Sequence, residues 1–305
     1  MIGRFAPSPT GPLHVGNLRT ALVAWLVARA AGGEMLVRIE DLDRANSSAM
    51  NEELQLRDLA RLGITHPDVA VRQSGRFDVY RRVIDELRNQ GLVYPCYCSR
   101  KEIREAATAP NGPMLDGAYP GTCRDLEPAD HRRREQEGRA PAWRLRTEGE
   151  TYIVDDLVAG PTVTTVDDVV LQRNDGVPAY NLAVVVDDAE QGVMQVVRGD
   201  DLLASTGRQM HLQALLGYPT PVYAHVPLVV GGDGERLAKR HGAVTLDDLS
   251  SIGVDAVDVL REIAASCGID APRATTAADL LAGFSLDAIP RSAWVIPEHW
   301  QRATA

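Results

Sequence analysis

A chain of 305 residues can hold one large or two modest domains with a proper core. With 45% hydrophobic and 24% charged residues it has a globular balance, and no apolar run is long enough to span a bilayer, which excludes a helical membrane protein. A formal net charge of −10 excludes a protein that coats nucleic acid by bulk electrostatics.

The first residues lack a basic-then-apolar signal pattern, so a cytoplasmic location is expected. Only 5% of residues are aromatic, so the core should rest on Leu, Val and Ala. The stretch from Arg4 to Leu22 reads as a short extended segment, a Pro/Gly turn and a helix from about Val15 to Ala31. Val15, Leu18, Leu22, Trp25, Leu26 and Arg29 recur at helical spacing and predict one mostly apolar face, and Gly32-Gly33 stops the helix. The layout suits a phosphate: free amide N–H groups and the positive end of the dipole meet an anion at the first turn. Gly11 and Gly16 admit a ligand close to the backbone, His14 can donate to a phosphate, and Arg4 can fork onto a carboxylate. Taken alone, His14-Val15-Gly16-Asn17 is more often ordinary punctuation before a helix.

Met35 to Ile39 predicts a buried strand that runs out into Glu40, Asp41 and Asp43. Strand, helix, strand in this order predicts a parallel sheet with a right-handed crossover, and ligands sit at the carboxyl ends of such strands. The three acids fit a bound metal or ammonium, or a solvated strand exit, the commoner case. Ser47 or Ser48 can cap a helix through Leu62, and a further helix covers roughly Arg76 to Gln90. Ser99 with Glu102 is a capping box just after two cysteines. Residues 108–122 read as loop, Arg132 to Glu137 as a charged helical patch, and Ala142–Arg146, Thr151–Val154 and Val169–Arg173 as short strands.

From Pro178 the α/β pattern returns. Ala179 to Val186 suits a buried helix or a strand, and periodicity does not separate them. A strand at Met194–Arg198, a helix at Ser205–Leu216 and a strand at Tyr223–Val230 follow. Gly231-Gly232-Asp233-Gly234 opens a flexible loop, and the last sixty residues read as short helices, including Asp255–Ser266. The expected organisation is a first half of an α/β domain over 1–92, an insertion over 93–178, the second half over 179–245 and a helical C-terminal segment over 246–305. From Ser99 to Glu150 ten Lys/Arg balance ten Asp/Glu, so this segment repels a polyanion least.

Cys96, Cys98 and Cys123 cluster while Cys267 stands apart within a helical apolar pattern, which is a metal arrangement more than a disulfide framework. A structural zinc needs four ligands, and both Tyr119 and His131 are available as the fourth.

The string RFAPSPTGPLHVGNLRTAL resembles the first signature of class I aminoacyl-tRNA synthetases in its glutamyl variant, with Asn17 in place of the final His. GERLAKRHGA, Gly234 to Ala243, is similar to the second signature, which is K-L-S-K-R in many glutamyl members. Ala238 replaces the usual serine and Arg236 the first lysine, while Lys239 matches the lysine at the triphosphate. The spacing Cys-x-Cys…Tyr-x-x-x-Cys resembles the zinc pattern of the glutamyl-Q tRNA(Asp) synthetases, which selects Tyr119 as fourth ligand. The resemblance implies an α/β, Rossmann-like catalytic domain with an inserted zinc-containing acceptor-type domain. It implies glutamate held by Arg4, Ala6, Ser8, Glu40, Tyr180 and Arg198, and ATP bound through His14, Gly16, Asn17 and Lys239. His14 and Lys239 would be catalytic, with Mg2+ carried by ATP oxygens. At this length no counterpart of the large helical anticodon-binding domain of longer glutamyl-tRNA synthetases is expected. The implied activity is ATP-dependent attachment of glutamate to queuosine in the anticodon of tRNA(Asp), by a monomer. A short glutamyl-tRNA synthetase charging a 3′ end, and a non-catalytic paralogue, are the alternatives; Asn17 and Ala238 suit the latter.

Overall fold

The computed structural model describes residues 1–69, 71–107, 119–235 and 244–301. In chain order the strands are β1 (Ile2–Phe5), β2 (Glu34–Ile39), β3 (Val71–Arg72), β4 (Val93–Cys96), β5 (Ala142–Leu145), β6 (Thr151–Asp156), β7 (Gly160–Thr165), β8 (Val170–Gln172), β9 (Gln195–Gly199), β10 (Val222–Val226), β11 (Val229–Val230) and β12 (Trp294–Val295). The helices are α1 (Val15–Ala30), α2 (Ala49–Arg61), α3 (Phe77–Asn89), α4 (Arg100–Ala107), α5 (Pro128–Gln136), α6 (Tyr180–Glu190), α7 (Thr206–Leu216), α8 (Leu246–Ser251), α9 (Ala256–Ser266) and α10 (Glu298–Gln301).

The central sheet has the order β10-β9-β1-β2-β3, and all its pairs are parallel. The order reverses between β1 and β9, and in open parallel sheets that is where a crevice forms beyond the carboxyl ends of the strands. Arg4 lies on β1 and Arg198 on β9, one on each side of that point.

Helix α1 differs from its expected one-sided pattern. Ala21, Val23, Ala24, Val27 and Ala28 are buried as well as Leu18, Leu22, Trp25 and Leu26. The reason is that α1 is the middle layer. It packs on β1, β2 and β9 on one side and on α2 and the 3-10 turn Ala277–Gly283 on the other. Buried at every residue from Ala21 to Ala28, it has no polar stripe to display there. The C-terminal segment supplies that outer cover, with Leu260, Ile263, Ala277, Leu280 and Trp300 in the same cluster as α1.

Ala179–Val186, open between helix and strand, is α6, whose residues Leu182 to Asp188 are all buried. The expected strand Tyr223–Val230 breaks at Pro227, which cannot donate to a ladder. Its carbonyl accepts from Arg19 Nη1 at 2.8 Å, and the remainder forms β11, paired in parallel with β12. A strand inside the last sixty residues was not expected.

Strands β4, β5 and β8 form an antiparallel sheet. Leu145, Val166, Val169 and Leu171 share a core with α3 and α6, so this sheet packs onto the helices of the central domain. The hairpin β6–β7 docks on α7 and the edge strand β10, where Leu157 N–H donates to the Tyr223 carbonyl at 3.0 Å. Covering an edge in this way removes an unpaired ladder from solvent. Gly207 permits the docking: a Cβ there would stand 2.1 Å from Thr164 Oγ1. Among the described residues no helix is long and apolar enough to cross a membrane.

Candidate active site

A cleft of about 770 Å3 opens at the carboxyl ends of β1, β2 and β9. Arg4, Ala6, Ser8, His14, Gly16, Asn17, Glu40, Tyr180 and Arg198 all line it. Lys239, Arg236 and Ala238 lie outside the described residues.

His14 is the N-cap of α1. Its Nδ1 accepts from the amides of Gly16 at 3.1 Å and Asn17 at 3.3 Å, and Asn17 Oδ1 accepts from the His14 amide at 3.3 Å. The Val15 amide donates to the Val244 carbonyl at 2.9 Å, and Leu18 N–H to the His14 carbonyl. The first-turn amides are thus satisfied within the protein, contrary to the free N–H groups expected from sequence. An anion here meets the helix dipole and the imidazole. Because Nδ1 accepts, the neutral ring carries its proton on Nε2. Gly16 makes this fold-back possible, since a Cβ would come within 2.9 Å of the ring. Gln55 of α2 pins the preceding loop, donating to the carbonyls of Ser8 at 3.0 Å and Gly11 at 2.7 Å.

The acids after β2 divide between the two readings left open by sequence. Glu40 lines the cleft, its amide donating to the Pro7 carbonyl. Asp41 accepts from the distant Ser74 amide, and Asp43 from Asn46 within the turn after β2. Beneath Glu40 lies a buried charge array that sequence reasoning missed. Arg38 donates to Asp188 at 2.6 Å, Gln191 at 2.8 Å and Glu40 at 3.2 Å. Arg4 Nε stands 3.4 Å from the same Asp188 oxygen, and Arg4 Nη1 donates to the Val197 carbonyl. Burial raises the Glu40 carboxyl above the ordinary range, although Arg38 and Arg4 pull the other way. Tyr180 is raised by burial and by the Glu40 charge, which keeps its phenol protonated. A charged residue inside the apolar run MLVRI, and two acids ending VVVDD, were the available signals.

Arg198 is 5% exposed. Its Nε donates to His225 Nε2 at 2.9 Å, Nη1 to Gln209 Oε1 at 2.8 Å and Nη2 to Thr206 Oγ1 at 2.8 Å.

A second, larger cleft of about 1510 Å3 shares Ser8, Thr10, Glu40 and Tyr180 with the first. It extends to Cys98, Arg100, Lys101, Arg139 and Arg173. At its rim the sulfurs of Cys96, Cys98 and Cys123 lie within 4.8 Å of one another. The Tyr119 hydroxyl stands 3.3 Å from Cys96 Sγ and 3.7 Å from Cys98 Sγ, and accepts from the Cys123 amide at 2.8 Å. Hydrogen bonds from Cys123 and Cys98 pull the Cys96 thiol far below its ordinary pKa. The group could hold a metal ion, and its donors fit zinc. Tetrahedral Zn–S bonds of about 2.3 Å place sulfurs just under 4 Å apart, and Cys98 and Cys123 are at 3.5 Å. His131 instead meets the Tyr97 hydroxyl at 3.4 Å.

Residues 1–267 match the family described as tRNA synthetases class I (E and Q), catalytic domain. The glutamyl-Q tRNA(Asp) synthetase of Nocardia farcinica is 54% identical over 297 residues, covering 97% of this chain and 93% of that protein. That of Symbiobacterium thermophilum is 46% identical over 310 residues, covering 97% and 96%. A glutamate tRNA ligase from Elizabethkingia meningosepticum, solved in complex with its amino acid, has the same fold at a TM-score of 0.79 and 24% identity, covering 99% of this chain and 68% of that one. Two signatures in order, an open parallel sheet with its cleft at the reversal point and relatives matched over nearly their whole length agree: the chain belongs to the glutamyl-Q tRNA(Asp) synthetases, within the class I (E and Q) synthetases.

Proposed function

We propose that this chain activates glutamate with ATP and transfers it to queuosine in the anticodon of tRNA(Asp). The observation that carries the reading is the convergence of Arg4, Glu40, Tyr180, Arg198 and His14 on one cleft, in a chain so close to relatives named for that activity. In the first step an oxygen of glutamate's α-carboxylate bonds to the α-phosphorus while the bond to pyrophosphate breaks. An amino-acid carboxylate is already ionised at neutral pH, so the step needs no general base. Rate then comes from positioning and from charge met at the phosphate.

Glu40 faces the ammonium, Tyr180 and Ser8 complete that side, and Arg198 with Arg4 provides cationic partners for carboxylates. His14 donates from Nε2 to a phosphate oxygen, and Lys239 meets the triphosphate. Magnesium, a hard cation, is held mainly by ATP oxygens. In the second step a hydroxyl of queuosine's cyclopentene ring attacks the acyl carbon, losing its proton as AMP departs. The larger cleft, joined to the first through Glu40 and Tyr180, is the path by which a splayed anticodon base enters. Cys96, Cys98, Tyr119 and Cys123 would hold one zinc, which is structural and shapes the rim of that path.

The test is to charge tRNA with labelled glutamate and then locate the label. Label on the queuosine nucleoside of tRNA(Asp), absent from tRNA lacking queuosine, is expected. Label on a 3′-terminal adenosine, or equal charging with and without queuosine, overturns the reading and favours a short glutamyl-tRNA synthetase.

A further inference from the structure

Arg198 differs from Arg4, which also lines this cleft, and from Arg38 beneath it, in the company it keeps. Arg38 and Arg4 both approach Asp188 directly. The three partners described for Arg198 are an imidazole, an amide and a hydroxyl, with no carboxylate among them. An acid stands behind the imidazole. Asp156 Oδ2 lies 2.5 Å from His225 Nδ1, and His225 is fully buried. The Asp156 carboxylate is itself fixed, accepting from the amides of Val158 at 3.0 Å, Ala159 at 2.8 Å and His225 at 3.0 Å.

The direction of each bond follows from the donor inventory. An ionised carboxylate only accepts, so His225 Nδ1 carries a proton. A guanidinium only donates, so His225 Nε2 carries a lone pair for Arg198 Nε. The imidazole is therefore held neutral in a single tautomer by groups on both sides. Burial and the Arg198 charge also hold its pKa below the ordinary histidine value. The result keeps an acceptor against Arg198 Nε without placing an anion on the guanidinium. With Nε, one Nη1 and one Nη2 proton engaged, one N–H on each terminal nitrogen remains to donate to a substrate carboxylate.

We infer that Asp156 and His225 are a positioning pair for glutamate binding: Asp156 fixes the His225 tautomer, and His225 sets the plane of Arg198 while leaving its charge to the substrate. Asp156 ends β6, so a hairpin outside the central sheet takes part in orienting the amino-acid site. This rests on the reading of Arg198 as a glutamate ligand.

The experiment is glutamate-dependent ATP–pyrophosphate exchange with the full chain, together with 15N–1H correlation spectra of the imidazole groups. His225→Leu removes the acceptor and Asp156→Asn the anion; His225→Gln retains an acceptor oxygen. The expected result is a rise in KM for glutamate of roughly tenfold to a hundredfold in His225→Leu and Asp156→Asn, from loss of a hydrogen bond to a charged group. KM for ATP should stay unchanged, and His225→Gln should recover part of the loss. Wild-type His225 should give the Nδ1–H tautomer signature, a readout that needs no folded variant. An Nε2–H signature, or a wild-type glutamate KM in both His225→Leu and Asp156→Asn while Arg198→Gln is impaired, overturns the pair alone. An unimpaired Arg198→Gln overturns the Arg198 reading and the pair with it.

Discussion

Glu40 is asked to be an anion in a place that disfavours one. Its pKa is raised chiefly by burial, so the folded chain holds a proton there more tightly than the unfolded chain does. By linkage such a group favours the fold at low pH, and that contribution is lost as pH rises through the raised folded value. Wherever Glu40 is ionised it therefore weighs against stability while serving the substrate's ammonium. Glu40→Gln should raise the melting temperature at neutral pH and raise KM for glutamate at the same time, a trade seen where sites hold unfavourable groups. In wild type, KM for glutamate should climb as pH falls into the range where Glu40 protonates, and this part of the profile should vanish in the variant. Thermal melts and exchange kinetics across pH check both arms. For Lys239, placed at the triphosphate by the resemblance, Lys239→Ala should depress kcat of pyrophosphate exchange by roughly 2–4 kcal/mol in activation free energy and leave KM for glutamate nearly unchanged. Near-normal exchange would remove it from the chemistry.

At the scale of elements, β4 and the turn after it deliver two cysteines, and the segment before α5 delivers Tyr119 and Cys123. Four donors from two separate stretches mean that a bound metal would hold those stretches together. Purified protein should carry about one zinc per chain, and Tyr119→Phe should lose it faster to a chelator. Metal analysis that finds none in active protein, or equal retention by the variant, would count against the assignment. The same elements display what a sequence can reveal. The Ser99–Glu102 capping box was legible because both reciprocal bonds are local: the Ser99 amide to Glu102 at 2.6 Å and the Glu102 amide to Ser99 Oγ at 3.2 Å. The parallel sheet was legible from the strand, helix, strand rhythm, and family likeness named Arg4, Glu40, Tyr180 and Arg198, which share one cleft. The Asp156–His225 contact was not, because its partners are 69 residues apart, on strands whose pairing the sequence does not reveal. The break at Pro227 was visible as a proline, but its role as an acceptor for Arg19 depends on how α1 crosses the sheet.

At the scale of the whole molecule, the sheet order places two polar networks on opposite sides of the cleft. One joins Arg4, Arg38, Glu40 and Asp188 and continues through Asp187 to Gln73, Arg76 and Tyr80. The other joins Arg198, Gln209, Thr206, His225 and Asp156. No hydrogen bond described here links them. In hydrogen bonding the floor of the cleft is then two circuits, coupled through charge between Arg4 and His225, and their failures should largely sum. Removing one member of a buried pair costs about 3–5 kcal/mol, so Arg38→Met should be strongly destabilising by itself. Combined with His225→Gln, its cost in urea unfolding should add to within about 0.5 kcal/mol; combined with Asp188→Asn, which sits in its own circuit, it should fall well short of additive. The consequence is evolutionary as much as physical. A lineage could rewire what one wall of the cleft recognises, one substitution at a time, without first having to secure the other.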